Sequence, residues 1–253
     1  MAVVSRVFWL WYSVGAVLLV FMKVPEGLKF SNGLFLVLYG AYALSLLHQA
    51  ENRLDYPVAW RQRTGYIVLA ATIIWLGGMA VEWIGVNSGL LFGSYSYSDV
   101  LGPLVMGVPV TLGFAWIAVV VNAFLISGNN DSVRGRGSRI MRAARTGAWA
   151  VLLDLVLDPV AQHSGYWYWS SAGGFYGVPW SNFLCWFLIG ALLSLILPHK
   201  PLGPVWMRKG KILYQMILLL FGLVALRYGL WLCPIIAAAG ILLAERSCRH
   251  VKG

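Results

Sequence analysis

A succession of apolar runs, each close to the length that crosses a bilayer, constrains this chain more than any other feature. Eight can be traced, at about 6–22, 30–48, 65–86, 103–126, 143–161, 181–197, 211–226 and 230–244, joined by short polar loops. A helix needs roughly 20 apolar residues to span the hydrocarbon core. The 253 residues therefore predict a single membrane domain, 1–253, built as an all-α polytopic bundle of about eight transmembrane helices. Composition agrees, with 60% hydrophobic and 11% charged residues, too few charges to clothe a soluble exterior. The 13 Trp, 12 Tyr and 11 Phe argue against disorder, and three Cys are too few for a disulfide framework. No small-residue cleavage site follows the first run, so it is read as a retained span rather than a signal peptide.

The formal net charge of +10 suggests a polyanion ligand until the charges are located. All of the 19 basic residues except Lys23, Lys29 and Arg227 fall at the termini or in the even-numbered loops, with a cluster at Arg134, Arg136, Arg139, Arg142 and Arg145. The positive-inside rule then places both termini and the even loops in the cytoplasm of a multi-pass cell-membrane protein. The basic excess is topological first, with contact to anionic lipid headgroups as a secondary role, and no nucleic-acid partner is expected.

The two long outer loops resemble each other. Glu82 is followed by Ser88-Gly89, the run Phe92-Gly-Ser-Tyr95-Ser-Tyr97 and Gly107-Val-Pro109; Asp158 is followed by Ser164-Gly165, Tyr166-Trp-Tyr-Trp169 and Gly177-Val-Pro179. The shared order is acid, Ser-Gly, alternating aromatics, Gly-Val-Pro. This predicts a parallel internal repeat with units 65–126 and 143–197, each ending in an interfacial hairpin or re-entrant cap. Pro at the first turn of a helix after a tight Gly turn accounts for the Gly-Val-Pro ends.

Of nine Asp and Glu, three lie within apolar spans: Glu82, Asp154 and Asp158. An Asp at the centre of a membrane helix costs on the order of 2.5–3.5 kcal/mol, so such a group marks a functional site by default. Asp154 and Asp158 are four apart and share a helix face. Three carboxylates with no basic residue in the same half of the membrane keep at least one proton among them, through desolvation and like-charge repulsion. A protonated acid beside an ionised one is what general acid/base chemistry needs. Trp83, Tyr95, Tyr97, Trp167 and Trp169 are the candidate cavity aromatics, and His163 and Asn182 the candidate polar substrate contacts, although packing alone also accounts for the last two. Asp158-Pro159 also fits a helix cap or kink. The four His and three Cys have no metal-ligand spacing, and no phosphate loop, dinucleotide fingerprint or nucleophile elbow is present, so neither a metal nor a cofactor is expected.

The combined string Glu82-Trp-Ile-Gly85, Phe92-Gly-Ser-Tyr-Ser-Tyr97, Leu101-Gly-Pro103, Gly107-Val-Pro109, Leu157-Asp-Pro-Val-Ala161, Gly165-Tyr-Trp-Tyr-Trp169 and Tyr176-Gly-Val-Pro179 followed by Asn182-Phe183 resembles the integral-membrane carotenoid biosynthesis proteins of the CruF type. The resemblance covers roughly residues 65–200. It implies a cofactor-independent carotenoid hydratase, which adds water across the terminal double bond of an acyclic, lycopene-like carotenoid to give a tertiary alcohol. Such chemistry requires an acid able to protonate carbon, aromatic faces beside a tertiary cation, and a held water. The same groups with water excluded would give an end-group cyclase, as in similar small membrane-embedded lycopene cyclases. A non-catalytic lipid or carotenoid carrier, or a small transporter using the acids as proton relays, is the third expectation.

Overall fold

The computed structural model describes residues 2–22, 24–52, 60–128, 136–170, 173–198 and 202–249. Lys23, Arg53, Arg134, Lys200 and Lys252 lie outside the described residues, as do the side chains of Arg61, Arg136 and Arg249. The apolar runs fold as helices α1 (Ala2–Phe21), α2 (Phe30–Asn52), α3 (Trp60–Ser88), α4 (Leu112–Ile126), α5 (Arg136–His163), α6 (Trp180–Ser194), α7 (Pro204–Arg227) and α8 (Leu232–Arg249). Between them lie short strands β1 (Tyr95–Tyr97), β2 (Leu104–Val105), β3 (Val108–Pro109) and β4 (Trp167–Trp169). The protein is an all-helical membrane protein. Among the described residues, four helices, Val3–Phe21, Phe30–Glu51, Gln62–Ser88 and Pro204–Arg227, are long and apolar enough to cross a bilayer, and Leu112–Ile126 and Trp180–Ser194 are shorter apolar helices. Leucines and valines such as Leu10, Val17, Leu76 and Leu188 face outward, as a hydrocarbon solvent permits.

Helix α4 is the axis of the bundle. Thirteen of its fifteen residues are buried, because α2, α3, α5, α6 and α7 pack around it. Glycines at the crossings let these helices approach. A Cβ on Gly78 would sit 2.5 Å from the Trp116 ring, and one on Gly147 would sit 2.4 Å from the Phe187 carbonyl oxygen.

Three helix starts differ from the sequence reading by seven residues or more; one is that of α7, which begins at Pro204 rather than 211 and so makes Arg208, Lys209 and Lys211 helical. The run at 103–126 is helical only from Leu112; the preceding stretch is a hairpin, β2 pairing with β3, because Pro103, Gly107 and Pro109 cannot sustain a helix. Pro109 therefore lies in a strand rather than in the first helical turn, whereas Pro179 caps α6 directly. Helix α5 begins near residue 136, not 143, so Arg139, Arg142 and Arg145 are helical rather than loop residues. Arg142 is buried, its guanidinium 3.6 Å from the Phe124 ring centroid, which removes it from any headgroup-binding loop.

The two long aromatic loops pair with each other. Strand β1 runs antiparallel to β4, with Tyr95 opposite Trp169, Ser96 opposite Tyr168 and Tyr97 opposite Trp167. The two Gly-Val-Pro segments share a backbone form: Met106 and Gly107 have φ of 51° and 83°, and Tyr176 and Gly177 have φ of 50° and 87°. Consecutive positive φ values define the two-residue turn that matches strand twist, and a non-glycine residue there is uncommon.

Candidate active site

Glu82 lies near the carboxy-terminal end of α3 and is almost fully buried. The β1 strand folds back over it, so that the Tyr95 and Tyr97 hydroxyls each donate to its Oε2 at 2.6 Å. From α4, the Trp116 Nε1–H donates to Oε1 at 3.0 Å. Three donors converge on one carboxyl group. Donors aimed at both oxygens favour the ionised form of the group and meet its charge with oriented O–H and N–H dipoles.

Asp154 and Asp158 project from one face of α5 and are both buried. Asn182 of α6 bridges them, its Nδ2 donating to Asp154 Oδ2 at 2.9 Å and to Asp158 Oδ2 at 2.5 Å. Both carboxyls thus lie against one amide nitrogen. Two like groups held that close in a buried site favour one shared proton over two ionised carboxylates. Pro159 lies within α5 without ending it, and the Leu155 carbonyl, which a proline at this position leaves without its helical N–H, accepts from Cys233 Sγ at 3.8 Å. Asp158 is thus no cap; its partners are side chains.

Glu82, Asp158 and Asn182 line one small cavity of about 20 Å³, closed by Phe92, Tyr95, Tyr97, Leu112, Trp167, Trp169 and Trp186. That volume suffices for one water molecule with polar partners. Asp154 stands behind Asp158, outside this lining. Trp116 and Trp186 stack with centroids 4.0 Å apart and planes at 12°, while Tyr95 packs on Trp169 and Tyr97 on Trp167 at 4.7 and 5.7 Å. The Trp169 indole N–H is buried with no hydrogen-bond partner among the described residues.

Of the residues singled out in the sequence, Glu82, Asp158, Tyr95, Tyr97, Trp167, Trp169 and Asn182 meet at this cavity, and Asp154 supports it. Trp83 and His163 do not. Trp83 is 45% exposed on the far side of α3, since a neighbour in a helix points about 100° away. The His163 Nδ1 pairs with the Pro159 carbonyl at 2.8 Å, and its ring packs against Tyr228. Trp116 and Trp186 were missed, buried in ordinary apolar runs. The repeat itself holds their signal: each stands nine residues after the Gly of a Gly-Val-Pro segment.

Fold and site together define a polytopic helical membrane protein with a buried carboxylate pocket walled by aromatic rings. The chain belongs to the carotenoid biosynthesis protein family, which matches residues 32–244. It is 34% identical over 178 residues to the bisanhydrobacterioruberin hydratase of Haloarcula japonica, an alignment covering 68% of this chain and 56% of that protein. The matched region is thus little more than half the length of that relative. No solved structure matches the chain.

Proposed function

We propose that the protein is a carotenoid hydratase, adding water across the terminal C=C of an acyclic carotenoid to give a tertiary alcohol, without a cofactor. One observation carries the reading: Asp158, one member of a buried acid pair, and a separate, donor-stabilised carboxylate, Glu82, face the same water-sized cavity. The hydratase relative and the family support the substrate class.

Asp158, on the cavity side of its pair, gives its proton to the less substituted alkene carbon. The positive charge develops on the tertiary carbon, beside the Trp167, Trp169 and Trp186 rings, each able to contribute about 2 kcal/mol when desolvated. Water held by Glu82, with the Trp169 N–H as a further donor, attacks that carbon and passes its proton to Glu82. The alkene has then gained the elements of one water. Asp158 is reprotonated across the cavity it shares with Glu82; Asn182 Nδ2 donates to the transient Asp158 carboxylate, and the like charge of Asp154 beside it favours return of the proton. Expression in cells that make an acyclic carotenoid tests the reaction: the pigment should gain the mass of one water per reacted end. An isomeric pigment of unchanged mass would instead identify a cyclase.

The repeat explains why acids meet here. We infer that units 65–126 and 143–197 are duplicated halves of one membrane domain, since Glu82 and Asp158, Leu112 and Asn182, and Trp116 and Trp186 occupy matched positions and all surround the site. The match fails at one informative place, where Gly78 stands for Asp154 and makes room for Trp116. That difference leaves one unit with an acid pair and the other with a single carboxylate.

Loss of one donor weakens the Glu82 carboxylate. A hydrogen bond to a charged group is worth about 1.5–3 kcal/mol, so Tyr97→Phe should slow turnover roughly ten- to hundredfold, as measured by initial rates in detergent. The charge distribution supports insertion in the cell membrane with both termini cytoplasmic. A reporter fused after Gly102 should therefore report the outside; a cytoplasmic signal would invert the topology.

A further inference from the structure

A second cavity, of about 350 Å³, adjoins the acid pocket and shares three wall residues with it, Leu112, Trp167 and Trp186. From that shared wall it extends between α1, α2 and α5. Its α1 wall is a single helix face that includes Trp11, Gly15, Leu18 and Leu19. The other side chains are apolar or aromatic apart from Ser31, Asn32 and Tyr166, and the Tyr166 hydroxyl already donates to Asn32 Oδ1 at 3.1 Å. An occupant therefore needs no hydrogen bonds along its length. Leu10 and Val14, also in this wall, are 68% and 54% exposed, so the groove opens towards lipid through α1. A larger cavity of about 670 Å³, between α2 and α3, shares no residue with the acid pocket and has no route to its chemistry.

We propose that the groove behind α1 holds the polyene tail of the carotenoid, so that its terminal double bond lies at the Leu112–Trp167–Trp186 junction, and that Gly15 sets which tails fit. The assignment rests on the hydratase reading. The groove is largely apolar, walled by aromatic rings suited to a flat conjugated chain, and ends at the wall it shares with the acid pocket. Its α1 wall precedes residue 32, where the family match begins, while Glu82, Asp154 and Asp158 lie inside that match. The wall is thus built apart from the acids, so it can set substrate choice without altering them.

Gly15 supplies the test, because a Cβ there meets nothing within 4 Å and a larger side chain projects into the groove without crowding its helix. Full-length protein, Gly15→Phe and Gly15→Ala are compared in detergent on a long acyclic carotenoid and on a short acyclic isoprenoid with the same isopropylidene end. Gly15→Phe should raise KM for the carotenoid roughly tenfold or more, lose co-purifying pigment, and leave kcat and the short substrate unaffected. Gly15→Ala, which adds only one methyl group, should shift the carotenoid KM by less than Gly15→Phe. Leu28→Trp, in the same wall, provides a second blockade if Gly15→Phe does not fold. An unchanged carotenoid KM in the blocked variants would overturn the proposal, as would loss of co-purifying phospholipid with carotenoid turnover intact. Parent protein that hydrates neither substrate would overturn the hydratase reading instead; pigment retention by the parent and its loss in Gly15→Phe would still report on the groove.

Discussion

Asp158→Asn is expected to lower hydration by about a hundredfold to ten-thousandfold, the range that general acid catalysis contributes, while the protein still folds and retains pigment. The amide keeps the size of the carboxyl and can accept the hydrogen bond from Asn182 Nδ2, but it has no proton to give to carbon. Stability should not fall, because the substitution removes one of two like groups in contact. Asp154→Asn should be milder, since Asp154 lies outside the cavity lining and acts only through its neighbour. Initial rates for the two variants, with thermal unfolding as the control, separate the roles. Equal losses would mean that the pair cannot be divided into donor and support.

Glu82→Gln carries the second largest effect, and it differs in kind. The Tyr95, Tyr97 and Trp116 donors all point at this side chain, and an amide turns one acceptor edge into a donor. One of the three must then lose its partner in a buried site, at a cost of about 1–3 kcal/mol in stability. Turnover should fall by about a hundredfold or more as the water loses its base. Protonation at Asp158 is not blocked, so the substrate alkene should still exchange hydrogen with deuterated solvent. A Glu82→Gln protein that shows neither hydration nor exchange would place the first proton transfer on Glu82.

Much of this site is visible in the amino-acid sequence because membrane burial makes charge conspicuous. Glu82, Asp154 and Asp158 stand out in apolar runs, and the i, i+4 spacing of the two aspartates already places them on one face. The alternating aromatics of β1 and β4 announce strands, and both loops present alternate residues, Tyr95 and Tyr97 in one and Trp167 and Trp169 in the other, inward over the acids. Other parts were hidden by the same apolar background. Trp116 and Trp186 do their work through a stacked contact between α4 and α6 that no local pattern encodes, and Trp83, next to Glu82 in the chain, points away from it. The hairpin at 104–109 reads as part of a span because its residues are apolar; only its Gly and Pro betray the turn. Asn182 looks like an ordinary packing residue until α6 is laid beside α5, where it becomes the bridge of the acid pair.

The central claim is that one carboxyl protonates carbon and another delivers water across the same small cavity. Its most direct measurement is turnover of an acyclic carotenoid by purified protein in deuterium oxide enriched in heavy oxygen, with mass spectrometry and NMR of the product. The predicted product is a tertiary alcohol carrying one carbon-bound deuterium next to the carbinol carbon and the heavy oxygen in its hydroxyl group, absent with Asp158→Asn. A product of unchanged heavy-atom composition, or the same labelled alcohol formed at near the original rate by a folded, pigment-binding Asp158→Asn, Glu82→Gln double variant, would contradict it.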